Sequence, residues 1–226
     1  MVDTEAVLDA LERSPGPVEQ MTFDEIAAIP AEHSPDKPRR TPPARQPART
    51  PASKTPNEIV TGRHQDVRLY LAVLFKTFAE ITDAGLVREA PFQVRLAKSA
   101  VYEPDIVVIG GASLERVGET SFDGPPDVIV EVLSQDTTAV DRGDKFVAYE
   151  AAGVREYWLI DPLRDLVNLY QLGQDARYDE VRPDTSGRFR SRVLKGFVLD
   201  TSQLWRRVLP TIVETVETVQ SMVAQR

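Results

Sequence analysis

Apolar residues recur at helical spacing between Arg63 and Ala84, at Val67, Leu71, Leu74, Phe75, Phe78 and Ile81. That spacing predicts an amphipathic core helix with Gly85 as its stop. Beyond Gly85 the period shortens. PFQVRL alternates, DIVVIG and DVIVEVL are β-branched runs bounded by Pro and Gly, and REYWLID and LVNLYQL read as two strands joined at Asp161 and Pro162. Between DVIVEVL and REYWLID, residues 140–152 are helical in composition and close on Gly153. The order helix, three strands, helix, strands predicts an α/β domain of mixed α+β character, its central mixed sheet buried between helices.

The ends of the chain follow other patterns. Thr22 stands three residues before Glu25, a capping box that opens one short helix, and residues 3–13 suit another, so residues 1–29 are expected to hold short N-terminal helices. Residues 30–57 carry 8 of the 17 prolines and almost no large apolar side chains. Such a stretch cannot bury enough surface to offset its ordering entropy, and it reads as an extended linker. The main domain is then expected over residues 58–207. In residues 208–226, Leu209, Ile212, Val216, Val219 and Val223 form a heptad-like seam on a helix predicted to start at Pro210. By default the seam packs on its own domain; the alternative is a homodimer through this C-terminal helix.

Composition narrows the chemistry. With no cysteine in 226 residues, disulfide scaffolds, thiolate zinc sites, iron–sulfur clusters and cysteine nucleophiles are excluded. The acidic first residues and the lack of an apolar run near the roughly 18 residues of a membrane span predict a cytoplasmic protein without a membrane partner. The formal charge of -8 disfavours a protein that coats nucleic acid. That charge is unevenly placed: residues 30–57 carry +4 and the rest of the chain -12. The basic segment is a solvated tether or a tether along a DNA backbone.

Two carboxylates interrupt strands that should be apolar. Asp105 opens DIVVIG directly after Pro104, and Glu131 breaks VIVEVL, sharing one strand face with Ile129 and Leu133. If both sheet faces are covered, Glu131 is a buried charge that costs several kcal/mol unless it is paired, protonated or metal-bound. Lys145 in the next predicted helix is a candidate partner, on one helix face with Asp141 and Tyr149. Spacing alone leaves a second arrangement open, in which Asp141 and Lys145 are a surface pair and Glu131 ends an edge strand.

EPDIVVIGG, PPDVIVEVLSQDTTAVDRGDKFVAYEAAGVREYWLIDP and the downstream VNLYQL, in this order from about His64 to Phe197, resemble the Uma-two restriction endonuclease group of the PD-(D/E)XK nuclease superfamily. The resemblance implies a restriction-endonuclease-like core. It maps Asp105 onto the Asp of the Pro-Asp motif and Glu131 onto the acid of the second motif. The usual lysine position, two residues after that acid, holds Leu133, and the lysine maps to Lys145 instead. Asp105 and Glu131 are then expected to hold Mg²⁺ or Mn²⁺ through oxygen ligands, and Lys145 to orient water or neutralise transition-state charge, in hydrolysis of DNA phosphodiesters.

Other residues read more plainly. His64 is either a substrate contact or, on the simpler reading, a partly exposed helix-terminal residue. Glu58 is a candidate for the acid that superfamily members often place near the first core helix, although the group's usual N-terminal acidic segment is not recognisable here. Tyr149, Tyr157 and Trp158 are expected to pack on the sheet, Ser134 and Asp136 to cap the Lys145 helix, and Asp161 to serve its turn. Against the metal-dependent endonuclease stand two alternatives. One is a catalytically inactive nuclease-fold module that binds DNA or protein; the other is a purely structural ion pair in an unrelated α/β protein.

Overall fold

The computed structural model describes residues 61–97, 100–134 and 139–225. The expected N-terminal helices, the proline-rich linker, Glu58 and Asp136 lie outside these residues. The chain runs through α1 (Gly62–Thr82), β1 (Gly85–Glu89), β2 (Gln93–Ala97), β3 (Ala100–Tyr102), β4 (Ile106–Gly110), β5 (Ser121–Asp123), β6 (Val128–Val132) and α2 (Ala139–Ala152). It continues through β7 (Glu156–Asp161), β8 (Leu166–Leu172), β9 (Tyr178–Glu180), β10 (Arg188–Arg190), β11 (Val198–Asp200) and α3 (Ile212–Ala224).

Six strands form the main sheet in the order β1-β4-β6-β7-β8-β9. Its pairs are antiparallel except β6 with β7, the two strands that α2 connects. A parallel pair cannot be closed by a hairpin and needs such a crossover. Two small sheets flank it, β3-β2-β5 and β10-β11. The expected α/β class, with a mixed sheet flanked by helices, is what is found.

Alternation along the central strands sorts side chains onto two covered faces. Ile106, Val108, Val128, Val130, Val132, Trp158 and Ile160 turn toward α1, meeting Leu71, Leu74, Phe75 and Phe78. Phe75 stacks on Phe197 and tilts against Trp158, at 4.8 and 5.0 Å between ring centroids. On the opposite face Ile129, Leu133, Tyr157 and Leu159 meet Tyr149 and Phe146 of α2. All five residues of β6 and all six of β7 are buried. Glu131 therefore does not end an edge strand: β6 lies between β4 and β7.

Three details differ from the pattern reading. The α1 stop is Asp83, in the left-handed region at φ 52°, not Gly85. Gly85 instead opens β1 at φ 134°, where an added Cβ would lie 2.1 Å from the Ile109 carbonyl oxygen, so this close strand approach requires glycine. The third is α3, which begins at Ile212 behind a Thr211–Glu214 capping box. Its seam is used within the chain: Val219 is fully buried and Leu209 and Val223 pack on the α1-side core, while Ile212 stays 63% exposed.

A further carboxylate was not singled out by pattern. Glu156, fully buried at the start of β7, accepts hydrogen bonds from Trp158 Nε1, Gln171 Nε2, Ser191 Oγ and the backbone N–H groups of Arg192 and Val193. It fastens the segment after β10 to the main sheet. Burial pushes its carboxyl above the ordinary range despite these donors. No helix among the described residues is long and apolar enough to cross a membrane.

Gly85→Ala is expected to lower the unfolding free energy by about 2 kcal/mol or more, because a side chain at that φ is strained and its Cβ meets backbone that cannot yield. Urea unfolding followed by circular dichroism measures it; an unchanged midpoint would contradict the close β1–β4 approach.

Candidate active site

The β4–β6 register sets the two strand carboxylates together. Ile106 pairs with Val130, so one further step places Asp105 opposite Glu131. Asp105 Oδ2 accepts the Val132 backbone N–H at 2.8 Å. That bond holds the carboxylate against β6 just where the antiparallel ladder ends. Both acids are buried, at 2% and 4% exposure.

The Glu131 side chain points to the α2 face. Lys145 Nζ donates to Glu131 Oε1 at 3.0 Å, and the Tyr149 hydroxyl donates to the same oxygen, also at 3.0 Å. Lys145 and Tyr149 stand four residues apart on α2, one turn along the same face. Lys145 keeps about a quarter of its side chain exposed, whereas Tyr149 is fully buried with its ring edge-on to Tyr102 and Tyr157. Burial drives the Glu131 carboxyl above its ordinary range; the Lys145 charge opposes this and the Asp105 charge adds to it. Burial likewise raises the Tyr149 hydroxyl, with the Glu131 charge adding, so Tyr149 remains a donor.

His64 closes the other side. It is held in the first turn of α1 by the Thr61 cap, whose side-chain oxygen accepts its backbone N–H. His64 is 3% exposed, not a partly exposed terminal residue: α1 begins against the sheet end, with His64 Nδ1 3.5 Å from the Leu133 carbonyl oxygen and Nε2 4.0 Å from Asp105 Oδ1. Leu133, two residues after Glu131, is buried in the apolar cluster under α2. An ammonium there would be desolvated. Lys145 instead reaches Glu131 from the solvent side.

Of the residues singled out by sequence, Asp105, Glu131, Lys145 and His64 are thus neighbours. Ser134 is buried just beyond β6. Asp161 serves its turn, accepting from the Leu163 and Arg164 backbone N–H groups and pairing with the Arg164 guanidinium. The Tyr149 hydroxyl was overlooked, because an aromatic residue on an apolar helix face reads as packing. Its spacing of four from Lys145 was the available signal.

Asp105 and Glu131 can hold a divalent cation. Burial raises the Glu131 carboxyl and the Asp105 charge adds to it, and Glu131 Oε2 makes no hydrogen bond among the described residues. Among the described residues no group of three or more His, Asp or Glu side chains is disposed to hold a metal ion. Two carboxylates suffice for Mg²⁺, which keeps several waters and takes one or two protein carboxylates beside substrate phosphates.

Metal-free protein should show the burial of Glu131 in its stability. The folded Glu131 carboxyl binds its proton more tightly than the unfolded chain does, with an ordinary value of 4.5. Its contribution is present below that pH and is lost as pH rises through the raised folded value. Urea unfolding from pH 4 upward, about the unperturbed Glu range, should show wild type losing stability relative to Glu131→Gln. Parallel curves would refute the shift.

Comparison with known proteins agrees with this architecture. Residues 57–202 match the family model Uma2, described as "Putative restriction endonuclease". Among curated proteins the chain has no match. Among solved structures, a protein from Anabaena variabilis described as "a putative nuclease belonging to DUF820" shares the fold with a TM-score of 0.56 at 16% identity, over 65% of this chain and 82% of that one. The matched span runs from the α1 cap past β11 and includes both strand acids and Lys145, so the chain belongs to the Uma2 family.

Proposed function

We propose that the protein is a metal-dependent endonuclease hydrolysing phosphodiester bonds of DNA, with Asp105 and Glu131 as ligands of Mg²⁺ or Mn²⁺ and Lys145 as the assisting cation. One observation carries the reading. Glu131, buried in the middle of a sheet, meets an ammonium from a different element at 3.0 Å and faces a second buried acid across the β4–β6 register. A fold needing only stability gains little from such a cluster, since apolar residues of similar volume do as well or better there. The family and the structural neighbour, both described as nucleases, point to the same chemistry.

In this reading the strands hold the acids rigid, so little reorganisation is needed when charge develops. Asp105 and Glu131 would hold a divalent cation, which when bound would supply Lewis acidity toward the phosphodiester and lower the pKa of water toward neutrality. Lys145, partly exposed, leaves its ion pair to donate to the attacking water or to the phosphoryl oxygens as their charge grows. The acidity of the domain fits: carboxylates that concentrate a cation also repel DNA, so affinity without metal is weak. A DNA substrate and a chain without cysteine together suit the cytoplasm.

Purified full chain with supercoiled plasmid and Mg²⁺ or Mn²⁺ should nick or linearise it. Asp105→Ala, Glu131→Ala and Lys145→Ala should each lose about 100-fold or more in rate, the scale of removing one preorganised electrostatic contact. Wild-type cleavage by Lys145→Ala would remove the lysine from the mechanism. Salt-sensitive DNA binding with no cleavage of DNA or RNA would make the protein a non-catalytic nuclease-fold module.

A further inference from the structure

Glu131 Oε1 has two donors where one would neutralise it, and the two differ in burial. Lys145 keeps about a quarter of its side chain in solvent. Tyr149 is fully buried, its ring wedged edge-on between Tyr102 at 5.2 Å and Tyr157 at 5.0 Å. If Lys145 alone held Oε1, its departure would leave a buried carboxylate oxygen unpaired, a costly state in a low-dielectric site. The Tyr149 hydroxyl keeps that oxygen bonded.

The same contact sets orientation. With Oε1 pinned from the α2 side, Oε2 makes no hydrogen bond among the described residues. We infer that Tyr149 is a positioning residue of this site: its hydroxyl pins Glu131 through Oε1, which keeps Oε2 available to the divalent cation. Tyr149 touches neither substrate nor cation. The inference rests on the metal-dependent reading above, and partners of ligating carboxylates commonly matter to metal affinity as much as the ligands' own geometry does.

Isothermal titration of the full chain with Mn²⁺ tests it apart from catalysis. Glu131→Ala should abolish binding. Tyr149→Phe, which keeps the ring, should weaken Mn²⁺ binding by about tenfold or more and lower kcat for plasmid cleavage while leaving KM for DNA unchanged. Tyr170→Phe removes another hydroxyl from the same aromatic cluster and should match wild type. Replacing Tyr149 by 4-aminophenylalanine, which retains ring and donor, should restore binding, and it remains informative should Tyr149→Phe fold poorly.

Wild-type Mn²⁺ affinity in Tyr149→Phe would overturn the inference, as would equal losses in Tyr149→Phe and Tyr170→Phe or a failure of the amino analogue to restore binding. The nuclease reading fails separately: wild type that binds Mn²⁺ and cuts nothing refutes it, while the weakened binding of Tyr149→Phe still supports the positioning role. Wild type that binds no Mn²⁺ refutes both.

Discussion

A carboxylate in the middle of a buried strand is the constraint around which this structure is arranged. Glu131 sits on β6 with strands on both sides and helices on both faces, so its charge must be met within a few ångströms by the protein itself. The helix that answers it, α2, is the crossover that the parallel β6–β7 pair already requires. One connection thus does two things. It closes the sheet and it delivers an ammonium and a hydroxyl to the same oxygen.

Burial outweighs pairing there. Lys145 pulls the Glu131 carboxyl down, while desolvation and Asp105 push it up, and the upward effects win. The pair in isolation is therefore a poor stabilising device, as buried ion pairs often are. Glu156 shows the contrast on the next strand. It too is buried and raised, but it is surrounded by five protein donors that tie the segment after β10 to the sheet. Glu156 has the surroundings of a structural carboxylate, whereas the two donors to Glu131 both meet one oxygen, Oε1.

Two positions close to Glu131, Leu133 and Lys145, differ in their access to solvent. Leu133, two residues after Glu131, is buried under α2 beside Tyr149 and Tyr157. Lys145 reaches the carboxylate from α2 with part of its side chain in solvent, so its ammonium retains part of its hydration. The cost is that its placement depends on how the helix packs.

Much of the architecture was legible in the chain. The period of α1, the β-branched runs of β4 and β6, the β7 strand and the helix between β6 and β7 all formed where the sequence pattern put them. So did the anomaly of Glu131, because a charge in an apolar strand is visible without coordinates. Short strands such as β1, β3 and β5 escaped, being three to five residues long with mixed burial and little periodicity. The α1 stop was misassigned to Gly85 because glycine signals both a helix end and a close strand approach, and only strand pairing distinguishes them. His64 was misjudged because exposure at a helix start depends on what the helix abuts.

The sequence by itself determined the class of fold, the two acids and a lysine with the right spacing to meet one of them. Tertiary structure decided that β6 is central, that α2 turns Lys145 and Tyr149 onto one oxygen, and that Asp105 sits beside β6 on the neighbouring strand end, accepting from the Val132 N–H. The division has a physical reason. Periodicity records which face of an element is buried, a local property of successive residues, whereas the meeting of Lys145 and Glu131 depends on the packing of a helix against a sheet.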